Sequence, residues 1–258
     1  MKKLLLLLLA CSPAQGALIT EVIAYYFLPN PPGALGSVCQ DVGEAQALCT
    51  AGPISMTAAA GYGVLDVSAN ATAGGSIVLA LGRFDDQLTI DTGSSGDGFV
   101  QYSFFISAQG SDESPGAACT PASLEVFQDG ASLGSSSLLS PNSCPAPYDG
   151  VVGGTFTSDL APFTSSVPFI FSAQAYLMTI NPQGSDAHYG AFTTSLYAAL
   201  TGISIFDSSG QLLPDARITS ASSTYGGLAA APEPSLAAAA FLLLAALVAA
   251  AKSGLVRS

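Results

Sequence analysis

Between Ala17 and Ala231 no long segment spaces its apolar residues with helical period, whereas several space them by two. That pattern belongs to strands with one buried face, and it confines the chain to β architectures. In residues 99–108 the even positions Val100, Tyr102, Phe104 and Ile106 are apolar, and Gln101, Ser103 and Ser107 take the other face. In residues 169–179 the odd positions Phe169, Phe171, Ala173, Ala175 and Leu177 form one face. In residues 192–200 Phe192, Leu196, Ala198 and Leu200 do so, and the phase then moves to Ile203 and Ile205 across Gly202. A glycine at a phase change predicts a β-bulge. Asp207-Ser208-Ser209-Gly210 reads as a hairpin turn into Gln211-Leu212-Leu213. Further strands are expected at 18–27, 64–69, 76–81, 87–90, 123–127 and 151–156, with loops at 91–98, 109–121 and 136–150. About ten strands without helices predict an all-β, two-sheet sandwich of jelly-roll-like type over residues 17–231.

Charge narrows the function. Of 258 residues only 9% are charged, and the formal net charge is −12. Between residues 17 and 231 there are 17 acidic residues against two basic ones, Arg83 and Arg217. A nucleic-acid binder needs a basic footprint, so that class is excluded. With one His, a relay needing two His cannot form within one chain. The acidic surface reads as a solubilising one.

The two ends carry topology. Met1-Lys2-Lys3, the apolar run 4–10 and Ala14-Gln15-Gly16 form a secretory signal peptide, residues 1–16, cut before Ala17. The alternative is a lipoprotein-type signal, Leu8-Leu9-Ala10-Cys11, with Cys11 as the lipidated N-terminus. At the other end Pro232-Glu233-Pro234 precedes an apolar run, 235–251, followed by Lys252 and Arg257. A helix of this run spans about 24–26 Å, enough for a single transmembrane segment. Positive charge after the run places that end in the cytoplasm and the preceding chain outside.

This tail resembles the PEP-CTERM sorting segment of bacterial surface proteins, in the tripeptide Pro232-Glu233-Pro234, the helix that follows directly and the short basic end. The match covers residues 232–258. The stretch from Asp215 to Ser222, with Tyr225 soon after, also looks like the last strand of such ectodomains. The resemblance implies an exosortase-type processing enzyme as partner, delivery to the cell surface or extracellular matrix, and association with exopolysaccharide. The expected function is a structural or matrix protein. The alternative is a Ca²⁺-dependent carbohydrate-binding or adhesion module.

Cys39, Cys49, Cys119 and Cys144 remain after removal of the signal, an even number in an exported chain. Disulfides are the natural reading, and the sequence-local solution Cys39–Cys49 with Cys119–Cys144 is favoured among three pairings. No Cys-x-x-Cys spacing supports zinc.

Three constellations invite chemistry. Leu88-Thr89-Ile90-Asp91-Thr92-Gly93-Ser94 looks like an aspartic-protease loop, but that chemistry needs two carboxylates sharing a proton and no second such loop exists. The plain reading is a strand ending in a turn. Asp85, Asp86, Asp91 and Asp97 lie close in sequence and are the candidate ligands for a structural Ca²⁺, though no standard calcium-loop spacing is present. His188 lacks a Gly-x-Ser-x-Gly nucleophile and reads as a loop residue. Tyr25, Tyr26 and Tyr102 offer either a sugar-stacking face or core packing, and alternation favours the core. No catalytic residue, and no cofactor beyond that calcium, is expected.

Overall fold

The computed structural model describes residues 17–28, 34–35, 39–43, 45–51, 54–71, 76–93, 96–112, 122–139, 148–180 and 192–225. Their fifteen strands form two antiparallel sheets packed face to face. The first sheet takes β1 (Ala17–Leu28), β2 (Ala34–Leu35), β3 (Cys39–Gly43), β7 (Ser76–Asp91), β9 (Ala122–Gln128), β10 (Ala131–Leu139), β13 (Phe169–Ile180) and β15 (Arg217–Ser220). Its main path runs β10-β9-β13-β7-β1-β2, with β3 on β1 and β15 on β7. The second takes β4 (Gln46–Ala51), β5 (Ile54–Gly61), β6 (Val64–Ala71), β8 (Asp97–Asp112), β11 (Tyr148–Thr157), β12 (Ala161–Thr164) and β14 (Phe192–Asp207). Its path runs β11-β8-β14-β6-β5-β4, with β12 also on β8.

The alternation seen in the sequence is the burial pattern. Val100, Tyr102 and Phe104 are buried from β8, and Phe169, Phe171, Ala173, Ala175 and Leu177 from β13. Leu196 and Ala198 of β14 are buried, and the register between β14 and β8 shifts between Leu200 and Gly202. The extra residue re-aims the strand, so Ile203 and Ile205 also face the core. The expected turn forms as well. The Asp207 carboxylate accepts hydrogen bonds from the Ser209 hydroxyl (2.6 Å) and from the backbone N–H of Ser209 and Gln211. The Ser209 hydroxyl, followed by these backbone donors, holds the Asp207 carboxyl below its ordinary pKa.

Where sheets face one another, the largest side chains meet around Phe171. Its ring stacks on Tyr102 of the opposite sheet at 4.0 Å between centroids and 10° between planes. Phe84 and Tyr225 approach its edge at 5.4 and 6.3 Å, and Phe104 lies at 6.4 Å. Tyr102 is therefore a core residue; the side chains of Tyr25 and Tyr26 lie outside the described set.

Several expected boundaries are corrected. Residues 76–81 and 87–90 belong to one sixteen-residue strand, β7. The polar run between them hid this, because Arg83 pairs with Asp85 and Asp86 turns inward to a partner described below. The loops expected at 109–121 and 136–150 are shorter, since β8 continues to Asp112, β10 to Leu139, and β11 starts at Tyr148. Fifteen strands replace about ten. Those added include Ala- and Ser-rich strands such as β5 and β10, where small side chains blunt the contrast between faces.

At the corner between β3 and β4 the chain passes from one sheet to the other. A Cβ on Gly43 would lie 2.0 Å from the Gln46 carbonyl oxygen, so no side chain fits there. The expected signal segment 1–16 and the tail 232–258 lie outside the described residues. Among the described residues no helix is long and apolar enough to cross a membrane.

Truncating Phe171 to Ala is expected to cost about 3–5 kcal/mol, because it opens a cavity shared by both sheets. Urea unfolding checks this. A loss below about 1 kcal/mol would show that the sheets do not depend on this ring.

Candidate functional site

Four turns meet at one end of the sandwich. The β7–β8 turn, the β9–β10 turn at Asp129-Gly130, the segment between β12 and β13, and the hairpin at Ser208 surround a cleft of about 490 Å³. That volume is in the range of small-ligand sites. Phe99, Phe163 and Phe169 wall it, Gln128 lies at its base, and Asp97 and Asp129 line it.

Each polar residue is held by the local fold. Asp129 and Gly130 both have positive φ, 49° and 79°, as a two-residue turn matched to strand twist requires. Asp129 Oδ1 accepts the Ile170 N–H at 2.8 Å, which ties the turn to β13. Asp97 Oδ1 accepts the Thr164 hydroxyl at 2.8 Å. Gln128 is buried; its Nε2 donates to the Pro162 carbonyl at 2.6 Å and its Oε1 accepts from the Tyr102 hydroxyl at 3.4 Å. Burial first, then the charges of Asp129 and Tyr225, push the Tyr102 phenol well above its ordinary pKa. The arrangement offers an apolar wall beside two carboxylates, which suits a ligand with an apolar face and hydroxyl or amine donors.

The candidate calcium ligands do not converge. Asp85 is buried in an ion pair, its Oδ1 2.7 Å from Arg83 Nε, and the guanidinium also lies 5.9 Å over Phe127. Asp86 faces the core. Asp91 is exposed at the end of β7, where its Oδ1 accepts the Gly93 N–H at 2.9 Å. Asp97 belongs to the cleft. Among the described residues no three His, Cys, Asp or Glu side chains gather as a metal site. The Asp91-Thr92-Gly93 stretch is accordingly built as a turn; Thr92 donates its N–H and hydroxyl to Ser165 Oγ at 3.2 and 3.1 Å.

Asp86 holds the end of the described chain. Its carboxylate is fully buried and accepts from the Ser222 N–H at 3.1 Å and from the Ser222 hydroxyl. Two donors offset the cost of burying a charge. The Ala221 N–H bonds the Gln87 carbonyl at 2.9 Å, so the segment after β15 stays on β7. Tyr225 then inserts into the core against Phe171. Its hydroxyl is buried without a hydrogen-bond partner. Burial first, then the charges of Asp86 and Tyr62, raise its pKa strongly.

Of the cysteines, Cys49 on β4 is 1% exposed and disulfide-bonded. Cys39 sits on β3, its backbone opposite Ala24 of β1. Cys119, Cys144, Cys11, His188 and the Pro232-Glu233-Pro234 motif lie outside the described residues. The cleft and the Asp86–Ser222 contact were missed from sequence. An Asp-Gly pair between two β segments was the available signal for the first. The second pairs residues 136 positions apart and has no local signal.

No protein-family model matches the chain, and no curated protein matches it. Among solved structures, a crystal structure of the infectious bursal disease virus VP2 subviral particle matches at 10% identity with a TM-score of 0.26. The match covers 78% of this chain and about half, 54%, of the viral one.

Replacing Tyr225 by Phe removes the unpartnered hydroxyl and is expected to stabilise the fold by about 1 kcal/mol at neutral pH. The native phenols are raised, so their stabilisation is complete below the unfolded value of about 10 and is lost as pH rises above it. Tyr225→Phe should therefore also lessen the alkaline loss. Urea midpoints near pH 7 and 11 check both; a destabilised variant would contradict the assignment.

Proposed function

We propose that this chain is an exported surface or matrix protein whose β-sandwich is the cargo of a C-terminal sorting segment. The observation that carries the reading is the order of the tail: Pro232-Glu233-Pro234, the apolar run 235–251 and the basic end. The reading of residues 1–16 as a secretory signal goes with it. The resemblance to PEP-CTERM segments supplies the partner, an exosortase-type enzyme that reads the tripeptide in the membrane. The helix holds the chain outward until processing, and the sandwich then joins exopolysaccharide or other surface material. The described fold supports this division. Tyr225, the last described residue, is packed in the core seven positions before Pro232, so the described sandwich does not draw on the sorting segment.

The jelly-roll-like part of the reading is supported by the way β6, β7 and β8, and later β12, β13 and β14, alternate between sheets. The pairing Cys39–Cys49 gains support from the bonded state of Cys49 and from the single corner joining β3 to β4. Such a bond staples one sheet to the other. Cys119–Cys144 is the remaining pair.

A second reading rests on the cleft. Its aromatic wall and two lining carboxylates suit the apolar face and hydroxyls of a sugar, as in an adhesion module. Calcium dependence would separate the two readings. Under the first, millimolar Ca²⁺ leaves the unfolding midpoint within about 1 °C.

The test of sorting is substitution of the tripeptide in the producing cells. With Pro232, Glu233 and Pro234 all changed to Ala, the protein should stay in the membrane fraction, while the native chain reaches the surface. Equal release of both forms would overturn the reading.

A further inference from the structure

The edge strands of the two sheets are not equally protected. β10, at one edge of the first sheet, carries register shifts between Ser132 and Ser135 and between Ser137 and Leu139. β4, at one edge of the second, has its Leu48 N–H taken by Asp41 Oδ2 at 2.8 Å. Bulges and inserted charges are the usual means of keeping an edge from pairing with another chain. β11, at the other edge of the second sheet, is not bulged, and its one charged residue, Asp149, is the second of the strand. It pairs with β8 over ten consecutive residues, Tyr148 with Asp112 through Thr157 with Ser103, without a shift. Among the described residues no strand pairs with its outer side. From Gly150 to Thr157 it contains no charge and no proline, and Val151 and Val152 are 67% and 38% exposed.

We infer that β11 is a self-association edge on which a second copy of this chain adds its own β11 in antiparallel register. The choice of a second copy follows from charge and from symmetry. Copies with a net charge of −12 repel each other, and contact is least opposed where the surface carries no charge. The strand is also self-complementary. A two-fold axis at Gly154 sets Val152 of each copy opposite Phe156 of the other and Val151 opposite Thr157, so apolar residues meet on one face. The contact is isologous and closes as a dimer. The two second sheets become one continuous sheet, held by main-chain hydrogen bonds. The inference stands apart from export and sorting, since it uses only the sandwich.

The test is sedimentation of the full chain in mild detergent at graded concentration. The native chain is expected to double in mass, more readily as salt rises from about 0.01 to 0.15 M and screens the acidic surfaces. Gly154→Lys places two like charges at the axis. A Cβ there meets nothing within 4 Å in its own copy, so the fold accepts the change. This variant should stay monomeric at ten times the concentration that half-dimerises the native chain. Val42→Lys makes the same change in net charge at an exposed site on β3 and should dimerise as the native chain does. A native chain that stays monomeric would overturn the inference. So would a Gly154→Lys chain that dimerises as readily as the native one, which would place association on another surface, including the helix.

Discussion

The stack of Phe171 on Tyr102 is the contact on which the sandwich depends. The two rings come from opposite sheets, and three more aromatics gather on them. Elsewhere the core is rich in alanine: Ala58, Ala69, Ala80, Ala108, Ala173, Ala175 and Ala198 are all buried. Small residues let the sheets approach but contribute little area each. The five aromatics are the largest fully buried side chains, and their stack bridges the two sheets.

The same group anchors the end of the described chain. Tyr225 closes the aromatic cluster, and the Asp86–Ser222 contact fixes the segment that brings it there. A buried carboxylate is costly unless donors meet it, so releasing this segment would take from Asp86 the two donors on Ser222. In the proposed function this is where the cargo ends and the stalk to the sorting segment begins. At the turn end, Gln128 links Tyr102 to the base of the cleft, so the core aromatics and the cleft are one connected structure.

The strands with large alternating side chains were legible in the sequence. Val100, Tyr102 and Phe104 on β8 and the odd positions 169–177 of β13 are buried as their spacing implies, and Gly202 marks a real register shift. The strands that were not legible are those whose faces differ little in polarity, as in Ile54–Gly61, or that are short, as in Ala161–Thr164. The carboxylates misled for a different reason. Asp85, Asp86, Asp91 and Asp97 are neighbours along the chain, but adjacent strand residues point to opposite faces and a turn separates the last two. Asp85 and Asp86 thus meet different partners, Arg83 on one face and Ser222 in the core. The cleft required four turns to be assembled, and pairings across the whole chain decide that.

The central claim is that this sandwich is exported and then separated from a C-terminal sorting helix. Intact mass of the protein recovered from a cell-surface fraction, with and without reductant, tests it most directly. The account predicts a chain that starts at Ala17, lacks everything beyond the segment Pro232-Glu233-Pro234, and gains about 4 Da on reduction, two hydrogens for each of two disulfides. A chain that keeps its tail would contradict the claim and make this a single-pass membrane protein. A lipid-sized addition on Cys11 would contradict the N-terminal cut and replace the helix with a lipid anchor.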